Sequence, residues 1–75
     1  MHTTQRLTIP IDGLGCGGAL RAEGVLSRLP GVIRAYVNPA TEMGYVEYDP
    51  GQFDLSHLRS ALARAGFEAG PPSIR

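Results

Sequence analysis

The stretch VIRAYVNPATEMGYVEY, residues 32–48, alternates twice and turns once. From Val32 to Asn38, the spacing puts Ile33, Ala35 and Val37 on one face and Arg34 and Tyr36 on the other. That is the period-two pattern of a strand with one buried side. Met43 to Tyr48 repeats it, with Gly44, Val46 and Tyr48 opposed to Met43, Tyr45 and Glu47. Asn38-Pro39-Ala40-Thr41-Glu42 between them is turn chemistry, because Asn bonds its own backbone and Pro presets its dihedral. A link this short makes residues 32–48 an antiparallel hairpin.

Working outward, each side of the hairpin carries a helical pattern. Upstream, Ala22, Val25, Leu26 and Leu29 follow the i, i+3, i+4, i+7 spacing, with Arg21, Glu23 and Arg28 on the remaining surface. Gly24 weakens this helix by about 1 kcal/mol relative to Ala, and Pro30-Gly31 stops it. Before it, Arg6 to Ile11 alternates, with Leu7, Ile9 and Ile11 on one face. Pro10 has no N–H for a ladder, which predicts a bend, a bulge or an unpaired position there. Downstream, Asp49-Pro50-Gly51 breaks the hairpin's second strand. Asp54 is a suitable N-cap for a helix whose Leu55, Leu58, Leu62 and Ala65 share a face. Gly66 is placed to close that helix in a left-handed conformation. Phe67-Glu68-Ala69 reads as a short last strand, and Gly70-Pro71-Pro72 ends the fold.

The order β-α-β-β-α-β is the split βαβ, or ferredoxin-like, pattern. The expected fold is α+β: a βαββαβ sandwich with a four-stranded antiparallel sheet and two helices on one face. Residues 1–75 make one domain, with a core over about 6–69 and flexible ends at 1–5 and 70–75. A domain this short buries only about 60% of its unfolded surface, so its core must be compact. Hydrophobic content of 43% is too high for disorder. Seven basic and seven acidic residues cancel, which gives no basic field for nucleic acid. One cysteine rules out an internal disulfide framework. No stretch is apolar enough to cross a membrane, and residues 1–6 lack the apolar core of a signal peptide. These features lead us to expect a small soluble cytoplasmic protein.

The topology brings three connections to one end of the sandwich: the 12–18 loop, the 38–42 turn and the Gly66-Phe67 corner. Cys16 lies in the first of these, among Gly13, Gly15, Gly17 and Gly18. Met43 and Phe67 fall near the same end, and His57 at the other, where His2 also lies unless it is mobile. A thiol just before a helix N-terminus meets unsatisfied amides and the positive end of the helix dipole, which favour the thiolate. An exposed thiolate on a glycine loop suits a soft ion such as Cu(I), or thiol exchange. Each residue also has a plainer reading. A free cysteine is often a small buried hydrophobe, and Phe67 after a helix cap is often core. Met43 can be packing, and a helical His57 is commonly just solvated.

With these residues in view, the chain resembles a known family. IDGLGCGGAL at residues 11–20, LPGV at 29–32 and AGFEAG at 65–70 look like a heavy-metal-associated domain. Such domains occur as copper chaperones, mercury-binding proteins and N-terminal modules of metal-transporting P-type ATPases. The resemblance covers residues 6–69 and implies the same βαββαβ fold. The family motif is Gly-Met-x-Cys-x-x-Cys, whose two thiolates hold one Cu(I), Zn(II) or Hg(II) ion. Gly13, Leu14 and Cys16 match its Gly, Met and first Cys. The second cysteine is absent, and the spacing to Pro30-Gly31 is one residue short, as if it were deleted between Gly18 and Ala19. An ungapped alignment instead puts Gly15 and Gly18 at the two cysteine positions. The resemblance implies that Leu14 tucks beneath the loop and that Phe67 shields it.

The resemblance therefore implies a metal-binding or metal-trafficking protein, with Cu(I) ahead of Zn(II) or Hg(II). Cys16 would be the metal ligand, supported by Gly13, Leu14, Gly15, Gly17, Gly18 and Phe67. A second donor would come from another chain, as in a metal-bridged homodimer through Cys16, or from a small thiol. A metal-transporting P-type ATPase is the implied partner, with neither nucleic acid nor membrane. Two other readings stand beside it: a protein-interaction module that keeps the fold without metal transfer, and a thiol redox element. Nothing suggests an enzyme, because no nucleophile–base pair, carboxylate constellation or P-loop Lys-Ser/Thr is present.

Overall fold

The computed structural model describes residues 3–15 and 17–74. Cys16 and His2, both singled out above, lie outside the described residues. The elements run β1 (Gln5–Asp12), α1 (Gly18–Ser27), β2 (Val32–Asn38), β3 (Met43–Tyr48), α2 (Leu55–Arg64), β4 (Glu68–Ala69) and β5 (Ser73–Ile74). The strands order as β2-β3-β1-β4, all antiparallel, as the ferredoxin-like reading requires. Both helices pack into one core on one face of the sheet, where Leu7, Ile9, Ile11, Ala22, Leu26, Val37, Val46, Leu58 and Leu62 are buried. Among the described residues, no helix is long and apolar enough to cross a membrane.

Two expectations need correction. The alternation of β2 assigns Ile33 to the buried face, but Ile33 is 55% exposed. The register steps there: Val32 lies opposite Tyr48 and Arg34 opposite the adjacent Glu47. Ile33 is thus the extra residue of a β-bulge, and Val32, Ala35 and Val37 take the inward phase. The second correction concerns the C-terminal end. In place of a flexible 70–75 segment, Ser73–Ile74 pairs with Thr8 and Leu7. The outer edge of β1 is therefore shared, with β4 along Ile11–Asp12 and β5 along Leu7–Thr8. Gln5 likewise lies in β1, not in a loose N-terminus.

Pro10 sits between those two partners without breaking β1. Its carbonyl accepts from the Gly70 N–H at 2.9 Å. A residue with an N–H at position 10 would donate back to the Gly70 carbonyl. That carbonyl instead accepts from Arg59 Nη2 at 3.2 Å, so the missing donor is replaced from α2. None of the alternatives expected at Pro10 is realised: it stays in register opposite Met43, its carbonyl accepts from Gly70, and only its donor is missing from the ladder.

The helix ends follow their sequence signals. Asp54 caps α2, its Oδ1 accepting from the Ser56 N–H at 2.9 Å and the Ser56 hydroxyl at 2.7 Å. The far end closes through Gly66 at φ +92°. The Gly66 N–H donates to Ala63 O at 3.0 Å and the Phe67 N–H to Leu62 O at 2.9 Å, which satisfies two terminal carbonyls and fixes the exit direction.

Candidate metal site

β1 ends at Asp12, and the chain turns at Gly13, whose φ of +92° disfavours a side chain. Leu14 then points inward and is 2% exposed, as part of the core. Gly15 (φ +34°) and Gly17 (φ +76°) flank Cys16. Gly17 is the N-cap of α1 and offers no side-chain acceptor, and no acidic residue occupies the first turn. The leading amides of α1 therefore present their donors and the positive end of its dipole toward the loop, uncapped by a side chain.

The loop rests on Phe67. A Cβ placed on Gly18 would lie 3.5 Å from Phe67 Cε1 and 3.3 Å from Gly13 O. One placed on Gly13 would lie 3.7 Å from Phe67 Cδ1. Both ends of the loop thus lie within van der Waals reach of the ring, and the tight approach is that of Gly18 to the Gly13 carbonyl. Phe67 is 3% exposed and belongs to the core, so the aromatic is both core and floor of the loop.

Arg21 joins this assembly, although its helical spacing places it only on the surface. Its guanidinium carbon lies 5.2 Å from the Phe67 ring centroid. Its Nη2 donates to Ala65 O at 2.8 Å, at the C-terminal end of α2. The available signal is positional: Arg21 is one turn beyond Gly18 and shares its face of α1.

Other candidates lie apart. Met43 opens β3 opposite Pro10 and Asn38, at the loop end but in the outward phase of the strand, half-buried. His57 is exposed in the first turn of α2, at the far end. Among the described residues, no three His, Cys, Asp or Glu side chains group to hold a metal.

The heavy-metal-associated domain model matches residues 8–68. Copper-transporting ATPase 1 of Mus musculus is 36% identical over 73 residues, which is 96% of this chain and 5% of that protein. This chain therefore spans a small fraction of that relative's length. The N-terminal domain of a potential copper-translocating P-type ATPase from Bacillus subtilis, in its Cu(I)-loaded state, is 31% identical with a TM-score of 0.88. The likeness covers 97% of this chain and 92% of that one. Oxidized MerP from Ralstonia metallidurans CH34 is 26% identical with a TM-score of 0.82, covering 97% and 99%. With its βαββαβ sandwich, its glycine loop seated on Phe67 and a family model spanning most of its length, the chain belongs to the heavy-metal-associated domain family.

Proposed function

We propose that this chain binds Cu(I) as cargo for trafficking, with the Cys16 thiolate as ligand. The observation that carries the reading is the glycine loop itself. It is seated on Phe67 and opens onto the uncapped N-terminus of α1, in a domain whose relatives are named for copper transport. Two-coordinate Cu(I) prefers soft thiolate donors, and one chain offers a single cysteine. The second donor is recruited from another chain or from a small thiol such as glutathione. Zn(II) ranks behind Cu(I) because it takes four ligands, and Hg(II) because the relatives at 30% identity or more reported above are named for copper. The buried Leu14 supports the alignment in which Gly13, Leu14 and Cys16 keep their family positions and the second cysteine is missing. Within this reading the chain is not an enzyme, works in the cytoplasm and exchanges metal with a P-type ATPase.

The same missing cysteine favours a second reading, an interaction module without metal transfer. Cu(I) titration in thiol-free buffer against a competing chelator separates the two. The metal reading expects about one Cu(I) per two chains, and loss of binding in Cys16→Ser. Full binding by that variant removes Cys16 from the site. No uptake by the unaltered chain leaves the interaction reading.

A further inference from the structure

The face of the sheet turned away from both helices is ordered in rows. Leu7, Ile9 and Ile11 point into the core, so Arg6, Thr8, Pro10 and Asp12 of β1 point outward. The strand registers extend each of them across the sheet. At the end farthest from the 12–18 loop, Arg6, Glu47 and Arg34 lie abreast. The next row is Thr8, Tyr45 and Tyr36, and the one after it Pro10, Met43 and Asn38. At the loop end Asp12 lies opposite Glu68, and Glu42 is exposed at the hairpin tip, its carbonyl accepting from the Ile11 N–H at 2.8 Å.

This face is polarised along its strands. The far end sets two exposed guanidinium groups about one carboxylate, and that carboxylate, Glu47, also accepts from the Thr4 hydroxyl at 3.1 Å. The loop end gathers Asp12, Glu68 and Glu42. Arg59 reaches the same edge from α2, but its Nη2 is given to Gly70 O. Between the two ends stand Tyr36 and Tyr45, 53% and 40% exposed and stacked at 6.1 Å with their planes 23° apart. Tyrosine is a common interface anchor, and a pair already stacked has less freedom left to lose on docking.

A partner of one charge matches one end of such a face and is repelled at the other. A second copy, turned end for end, matches both. Consider a two-fold axis between the facing sheets, crossing the strands above Ile9, Gly44 and Val37, which are register partners. It sets Arg6 opposite the partner's Asp12 and Tyr45 over the partner's Met43. Arg34 then faces the hairpin tip that carries the partner's Glu42, and symmetry repeats every pairing. Facing sheets pack about 10 Å apart, within reach of two arginine side chains.

We propose that the outer face of the sheet is a self-complementary docking surface for a second copy of this chain. The proposal goes beyond the Cu(I) reading and does not rest on it, since the loop end of each copy lies over the far end of the other. From Arg6 to Asp12 the face runs about 20 Å, and across four strands about as far. That is small for a stable dimer, so the dissociation constant should be on the order of 0.1 mM.

The test uses metal-free, reduced protein. Dilution from about 1 mM to about 10 μM, on either side of that constant, should move the NMR amide signals of Arg6, Thr8, Tyr36 and Tyr45. Signals from the solvent-facing sides of α1 and α2 should stay in place. Arg6→Asp and Asp12→Arg, each first shown to be folded, should each self-associate on the order of tenfold more weakly, because symmetry repeats the like-charge pair. An equimolar mixture of the two variants should regain wild-type association, since both pairings are then opposite in charge. The gain should fade near 1 M salt, where the screening length is about 3 Å. Signals that do not change on dilution overturn the proposal. So do changes confined to the helices or the loop end, and a mixture that associates no better than its components. Signals of the sheet face that respond to a single-stranded oligonucleotide but not to protein concentration give the face another occupant and overturn it as well.

Discussion

At the scale of single residues, the glycines divide into those that shape the loop and one that locks a corner. Gly31 has φ +84°, and a Cβ there would lie 2.7 Å from Phe53 N and 2.9 Å from Gln52 C. Both obstacles are backbone, so they cannot swing aside. Gly31→Ala should therefore cost about 2 kcal/mol or more, from a strained dihedral added to a clash. Chemical denaturation would show it as a lowered midpoint at unchanged slope, and a loss under about 0.5 kcal/mol would contradict the packing described. Gly17 differs, because a Cβ there meets nothing within 4 Å. Its φ of +76° alone asks for glycine. In the sequence Gly31 reads only as a helix stop and Gly17 as one of a loop's glycines. What separates them is the segment each one faces, which only the folded chain supplies.

At the scale of elements, the two helices begin differently. α1 starts on a bare glycine, while α2 starts on Asp54 bonded to Ser56. The Ser56 hydroxyl is the first cause, and its amide the second, that holds the Asp54 carboxyl below its ordinary value of 3.8. A carboxyl with a lowered folded pKa adds stability above its unfolded value and loses it as the pH falls through the folded one. The cap should thus weaken as the pH drops below about 4. An asparagine at this position would keep a capping oxygen without a proton to gain. Asp54→Asn should accordingly unfold with a shallower acid dependence than wild type, read from urea midpoints at stepped pH. Identical slopes would remove the cap from the acid response.

Element order, caps and most inward positions are legible in the sequence because each rests on local chemistry: Leu58 and Leu62 on spacing, Asp54 on its side chain, Gly66 on its missing Cβ. Ile33 is misread from sequence because a bulge belongs to a pair of strands and leaves no mark on one of them. β5 escapes because Pro71-Pro72 reads as an ending, while its pairing depends on a vacant stretch of β1 more than sixty residues away. Arg21 escapes for a related reason, since the carbonyl and ring that hold it come from the far end of α2. Cys16, its glycines and Phe67 are picked out by the family resemblance, whereas the contacts of the Phe67 ring with Gly13, Gly18 and Arg21 emerge only from the fold.

At the scale of the whole molecule, one core serves every element. Leu62 is fully buried where α2 meets the sheet, and its carbonyl also anchors the Phe67 corner. Leu62→Ala should cost about 3 kcal/mol. For a domain of this size that lowers the melting midpoint by roughly 15 °C. Because no element has a core of its own, calorimetry should record a single transition, shifted but not split. Two transitions would mean that the hairpin and the helices are separate folding units.

The edge of the hairpin carries one more consequence. β2 is the outermost strand, and its free side is interrupted twice: by the bulge at Ile33, and by the Glu23 carboxylate, which accepts from the Val37 N–H at 3.3 Å. A strand so interrupted makes a poor template for another strand. Neighbours that slide along this flank find little to zip onto. A flank of this kind keeps chance encounters along the sheet edge brief, which matters for a small domain with a strand at its border.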